Sequence, residues 1–421
     1  MDSHGIDSHG TEAHSIESHR GVRGADIGCS QHWRALQLAT EHLPAPVAAI
    51  SVEALEANAA SIRARASGTP IRVASKSIRV RDVLRRLDRE DWTQGILAFS
   101  LAEAIWLSDE FDDLLVAYPQ TDRTAYRELA GNETAAARVT VMIDSVDHLD
   151  FIDSVVPPSG RREIRVAIDL DASWKGPLGH IGVFRSPVHS PQDARALAEA
   201  VVARPGFRLV GLMAYEAQIA GVGDKPKNAV MAQMLPRMQR LSAAELRERR
   251  GETVRLIREI ADLEFVNGGG TGSIESTASE TAVTDVAAGS GFFGPHLFDT
   301  YAGFTPQPAV GFALDVVRKP ADDVVTCFGG GWIASGPAAD DRLPQPVYPG
   351  GLKYLPREGA GEVQTPLRGN AARGLRIGDR VWMRHTKSGE VCEHANALQA
   401  VEGGAVVAEW PTYRGEGKVF A

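Results

Sequence analysis

Eight short apolar runs separated by helix-like stretches constrain the fold of this chain more than any other feature. They fall at residues 71–75, 95–100, 113–118, 139–144, 164–170, 209–215, 263–268 and 285–289. Each is nearly continuous in apolar residues, as expected of a strand buried on both faces. Amphipathic stretches lie between most of them, for example at 81–90, 102–110, 190–203 and 243–261. Another helix is expected over 51–67, with Ser51 and Asn58 as alternative start signals. Eight strand–helix units in about 240 residues match the size of a (β/α)8 TIM barrel. A doubly wound open sheet shows the same alternation, but the count of eight favours closure.

Beyond residue 312 the texture changes. Glycine and proline become dense (Gly329 to Gly331, Pro344, Pro346, Pro349), and short alternating runs such as 380–384 and 405–409 follow. This predicts a C-terminal β domain over 313–421, with the barrel over 46–312. Residues 25–45 are expected to pack on the β domain. Residues 1–24 repeat a histidine every five positions (His4, His9, His14, His19). That period suits neither helix nor strand and reads as a disordered tail.

A net charge of −9 argues against nucleic acid or an anionic membrane as the main partner. No apolar run reaches the length of a membrane span, and the first residues lack the pattern of a signal peptide. Three scattered cysteines, Cys29, Cys327 and Cys392, suggest no disulfide framework. A cytoplasmic location is the expectation.

The chemistry-bearing residues sit at strand ends. Lys76 closes the first barrel strand, in Ile71-Arg-Val-Ala-Ser-Lys-Ser77, flanked by small hydroxyl residues. Asn267-Gly-Gly-Gly-Thr-Gly-Ser273 follows the seventh strand, and Gly289-Ser-Gly291 ends the eighth. Catalytic groups of such barrels gather at the C-terminal strand ends, and phosphate sites form after strands seven and eight. A lysine there can act as a Schiff-base nucleophile once its amine is deprotonated.

Together with Gly211-Leu-Met-Ala-Tyr-Glu-Ala-Gln218, Gly289-Ser-Gly-Phe-Phe-Gly294 and Arg384-His-Thr-Lys-Ser-Gly-Glu390, these segments resemble fold-type III pyridoxal phosphate enzymes with an alanine racemase-type N-terminal barrel. Within that group the chain is similar to the D-threonine aldolase and D-serine dehydratase branch, over roughly residues 45–415. The resemblance implies a PLP-dependent lyase acting on β-hydroxy D-amino acids, assembled as a homodimer. It implies Lys76 as the Schiff-base lysine and Tyr215 beside the cofactor or substrate, with Gln218 a further polar candidate. Gly269, Gly270, Thr271, Gly289 and Gly291 would hold the cofactor phosphate.

Racemase-type sites carry an arginine after the fifth strand, facing the ring nitrogen. Here Asp169-Leu-Asp-Ala-Ser-Trp174 stands there, and His180 and Arg185 are the next candidates. Relatives hold a divalent ion on a His-x-Cys or His-x-Asp pair. This chain offers His385, Cys392 and His394 for zinc or manganese, with Cys392 and His394 expected on one strand face, and a metal-free variant stays open. Two alternatives to the lyase are an amino-acid racemase, whose second acid/base would be a tyrosine from the C-terminal domain of the partner subunit, with Tyr348, Tyr354 and Tyr413 as candidates, and a non-catalytic PLP carrier.

Overall fold

The computed structural model describes residues 30–176, 179–226 and 228–420. The histidine-containing tail and Cys29 lie outside this range.

The first strand belongs to the second sheet, not to the barrel. β1 (Val47–Ser51) pairs antiparallel with β12 (Val310–Ala321) and parallel with β18 (Ala397–Glu402). The barrel was expected from residue 46. Residues 47–51 instead belong to the other sheet, and the barrel opens with the helix Val52–Ala66. Ser51 caps that helix by accepting the Ala54 N–H at 3.2 Å. Asn58 is buried in mid-helix, where its amide ties to Phe292 and Gln307 carbonyls.

Eight parallel strands then close into a barrel. They are β2 (Ile71–Ala74), β3 (Thr93–Ala98), β4 (Leu114–Val116), β5 (Val139–Ile143), β6 (Ile164–Asp169), β9 (Phe207–Ala214), β10 (Phe265–Gly268) and β11 (Asp285–Ala288). The closing pair is β11 with β2, Val286 opposite Ile71. A small hairpin, β7 (Trp174–Gly176) and β8 (Gly179–Ile181), interrupts the barrel after β6.

Alternate residues of these strands sort into two clusters, as the two-residue period of a strand requires. Leu114, Val116, Val141 and Val166 pack outward under the helices. Leu115, Met142, Ala167, Val210, Met213 and Phe265 fill the interior. Arg72, on β2, also enters that interior. Its buried guanidinium pairs with Asp113 (2.9 Å) and Asp285 (3.3 Å) and lies 5.1 Å from the Phe265 ring centre.

The second sheet has nine strands. Besides β1, β12 and β18 it contains β13 (Val324–Phe328), β14 (Gln345–Tyr348), β15 (Lys353–Tyr354), β16 (Gln364–Arg368), β17 (Arg380–Arg384) and β19 (Ala405–Pro411). A helix over residues 30–40 covers it, with Trp33 and Leu36 packed against Val47, Ala313 and Trp382. Arg380 donates to the carbonyls of Thr40 and Leu43. After β19 the chain returns to the barrel, where the Tyr413 ring stands perpendicular to Trp106 at 5.0 Å. Among the described residues no helix is long and apolar enough to cross a membrane.

Removing one partner of a buried ion pair strands the other charge. Arg72→Met should therefore lower stability by about 3–5 kcal/mol, measured as a shift in the denaturant midpoint at unchanged slope. A shift under about 1 kcal/mol would show that Asp285 is satisfied without it.

Candidate active site

A cavity of about 560 Å³ opens at the C-terminal ends of the barrel strands. Turns after β2, β4, β6, β9, β10 and β11 line it, and a turn from the second sheet forms its outer wall. Its size suits a cofactor-sized ligand.

Lys76 lies in a single 3-10 turn, Ser75–Ser77, directly after β2. Its side chain is open to the cavity, and Nζ donates to Tyr118 Oη at 2.9 Å. Tyr118 is a cavity residue outside the candidates named from the sequence. The available signal was an aromatic residue closing a barrel strand just before Pro119. Tyr215, at the end of β9, also lines the cavity, and burial followed by the neighbouring Tyr118 pushes its phenol up to about 12. The Arg185 guanidinium lies between these two tyrosines, 6.0 Å from the Tyr118 ring centre and 5.8 Å from that of Tyr215. His180 does not line the cavity; its ring stacks on Phe184 at 3.9 Å. Gln218 is buried outside the cavity wall and donates to Ala172 O and Ser242 Oγ. Asp169 borders the cavity beside Arg185. Burial, with help from Asp144, pushes its carboxyl up to about 7 against the opposing Arg185 charge.

Beside Lys76 three turns meet, the Lys76 turn among them. Gly269 adopts a left-handed φ of +77°, which favours glycine. A Cβ on Gly270 would stand 3.2 Å from the Tyr215 ring, and one on Gly289 would stand 2.8 Å from Ala74 O. The close approach that glycine permits here draws Ser77, Gly270, Thr271, Gly289 and Ser290 together around a cup in the cavity wall. Ser77 Oγ and Ser290 Oγ are 2.9 Å apart, and Thr271 Oγ1 accepts the Gly291 N–H at 3.1 Å. Gly291 itself lies behind the wall.

The amides of Gly269 and Gly270 are engaged inside the loop, donating to Glu216 (3.1 Å) and Ser273 Oγ (3.2 Å). These two glycines therefore shape the cup. Glu216 is fully buried beneath it. The same carboxylate accepts from Ser273 Oγ, Thr277 Oγ1 and the Arg250 guanidinium, and Arg250 also pairs with Glu280 at 2.7 Å.

Behind Lys76, Glu103 is buried. It accepts the Phe99 N–H at 2.7 Å and the Tyr413 hydroxyl at 2.9 Å, and burial pushes its carboxyl up to about 7.

The expected metal ligands do not converge. Residues Gly389–Glu393 form a 3-10 turn, so Cys392 and His394 share no strand face. The Cys392 thiol is buried against Ile78 O, and the His394 ring stacks on Trp332 at 5.0 Å. His385 is buried with Nδ1 3.0 Å from Val310 O, and burial drives its imidazole down to about 3. Among the described residues no group of three or more His, Cys, Asp or Glu side chains is placed to hold a metal ion.

The closed parallel barrel, with Lys76 and the glycine turns lining one cavity at the C-terminal strand ends, places the chain in the (β/α)8 class. Residues 50–280 match the family model of the alanine racemase N-terminal domain. The chain belongs to that family. It is 27% identical over 209 residues to a D-threonine aldolase of Arthrobacter sp., a match spanning 48% of this chain and 49% of that protein. The chain thus spans about half the length of that relative. Its fold is similar to a crystal structure of D-threonine aldolase from Filomicrobium marinum, with a TM-score of 0.72 at 19% identity, covering 88% of this chain and 94% of that one. D-threo-3-hydroxyaspartate dehydratase from Delftia sp. HT23 gives a TM-score of 0.69 at 19% identity, covering 89% and 98%.

A carboxyl raised in the folded state stabilises the protein below its unfolded value of about 4.3, and that contribution is lost as pH rises through the folded value. Glu103 titrates near 7 in the fold, so its contribution disappears between about pH 4.3 and pH 7. Glu103→Gln should keep the Tyr413 contact and flatten this part of the pH–Tm curve. The groups common to both proteins cancel in the comparison. Parallel curves for the two proteins would refute the assignment.

Proposed function

We propose that this protein is a PLP-dependent lyase of β-hydroxy D-amino acids. The observation that carries the reading is the juxtaposition of the Lys76 amine with the glycine-walled cup across one cavity. The residues fit the cofactor. Side chains at 270 and 289 would collide with Tyr215 and Ala74 in the wall of the cup, and its rim carries the hydroxyls of Ser77, Thr271 and Ser290. Such a cup suits a phosphate. Lys76 would hold the carbonyl carbon, with Arg185 and Tyr215 beside the ring.

When bound, the cofactor withdraws electrons from the substrate α-carbon. The chain's own part is to orient and to move protons. Tyr118 Oη accepts from the Lys76 amine at 2.9 Å, which would hold a neutral Lys76 amine at the cavity as a general base. Tyr215, whose phenol is protonated at neutral pH, can donate a hydrogen bond to a substrate oxygen but holds no negative charge. The Glu216–Arg250–Glu280 network keeps the cup rigid from below.

The choice between retro-aldol cleavage and dehydration rests on which bond stands perpendicular to the ring. Support for the class comes from the D-threonine aldolase relative. No step is assigned to a metal, because His385, Cys392 and His394 are engaged apart from one another. Of the tyrosines considered for a racemase, Tyr413 binds Glu103 and Tyr354 binds Pro344 O, and neither Tyr348 nor these two lines this chain's cavity. A homodimer in the cytoplasm belongs to the same proposal. Two buried free thiols, Cys327 and Cys392, suit a reducing compartment.

Purified protein incubated with PLP should absorb near about 420 nm, as a lysine-bound cofactor of this class does. Lys76→Ala should lose that band and all turnover. Glycine and acetaldehyde from D-threonine would identify aldol cleavage, and pyruvate from D-serine would identify dehydration. An unchanged band in Lys76→Ala would sink the proposal.

A further inference from the structure

Four cationic side chains line the cavity: Lys76, Arg79, Arg185 and Lys387. Arg79 is paired with Glu393 and donates to the Lys76 carbonyl. Among the described residues the other three have no ion-pair partner. Lys76 is accounted for by the carbonyl it would hold, and Arg185 by the aromatic floor between Tyr118 and Tyr215. The phosphate cup consists of hydroxyls and backbone. Lys387 is therefore a cation that the cofactor leaves unused.

Its placement is specific. Lys387 follows β17 in the second sheet, two residues before Gly389. A Cβ on Gly389 would overlap the Lys76 carbonyl oxygen, so this turn rests directly on the Lys76 turn. Lys387 Nζ donates to Ser335 O at 2.7 Å and to Ser335 Oγ at 3.3 Å, which leaves one ammonium proton uncommitted on a side chain that lines the cavity. The nearby Glu390 carboxylate is occupied by the Ser335 N–H at 3.0 and 3.1 Å. Lys387 is half-buried; desolvation weakens its charged form, Glu390 supports it, and Arg342 and the Lys76 charge oppose it. An ammonium held this way, with neutral oxygens as its direct partners, is stabilised when an anion enters beside it.

An amino acid attached through its amine at the Lys76 position would carry its α-carboxylate two bonds away, within the cavity that Lys387 also lines. We propose that Lys387 binds the α-carboxylate of the substrate and so selects amino acids over simple amines. This rests on the PLP reading given above.

The test is a spectral titration of PLP-loaded protein with D-alanine and with ethylamine, which differ only in the carboxylate. Each amine's binding is followed by the change in the cofactor band, without turnover. Lys387→Met and Lys387→Gln should load PLP like the wild type. They should weaken D-alanine binding at least about 10-fold and leave ethylamine unchanged. Lys387→Arg should recover part of the loss. If both ligands weaken equally, or neither does, the carboxylate assignment is overturned while the PLP reading stands. A wild type that takes up no PLP would overturn both.

Discussion

The site depends on how closely three backbone turns approach one another at the barrel mouth. The turns after β2, β10 and β11 meet where glycine replaces any larger residue, and the second sheet adds Gly389 on the Lys76 carbonyl. Each contact excludes a side chain and so fixes the distance between the lysine and the cup. Close packing transmits this constraint, since a displaced turn has no void to move into.

That approach needs support from beneath. Glu216 accepts four hydrogen bonds, two of them from the loop it shapes (Gly269 N–H and Ser273 Oγ). A buried carboxylate is costly unless paired, and Arg250 supplies the pair. On the opposite side, Glu103 links the Lys76 region to Tyr413 from the end of the chain. The barrel mouth is thus clamped by buried polar groups on two sides, with the cavity between them.

The eight strands were legible because each is buried on both faces, so their sequences are apolar almost without interruption. The lysine, Tyr215 and the glycine turns were legible because each follows such a run directly, and strand ends place residues predictably. Other features carry no periodic signature. Tyr118 looks like any aromatic residue at a strand end until Lys76 is seen to donate to it. Arg185 and His180 are separated only by how the hairpin after β6 folds, which turns the histidine onto Phe184. Cys392 and His394 were read with strand spacing, but a 3-10 turn rotates them apart. Lys387 gains meaning only from a tertiary contact between segments more than three hundred residues apart in sequence.

The position of β1 has a consequence for how the protein is made. This strand is made before the barrel, yet both its neighbours, β12 and β18, lie beyond the barrel in sequence. Until they are translated, β1 presents bare edges of the kind that invite pairing with other chains. The outer wall of the cavity can therefore assemble only after every barrel strand has been made.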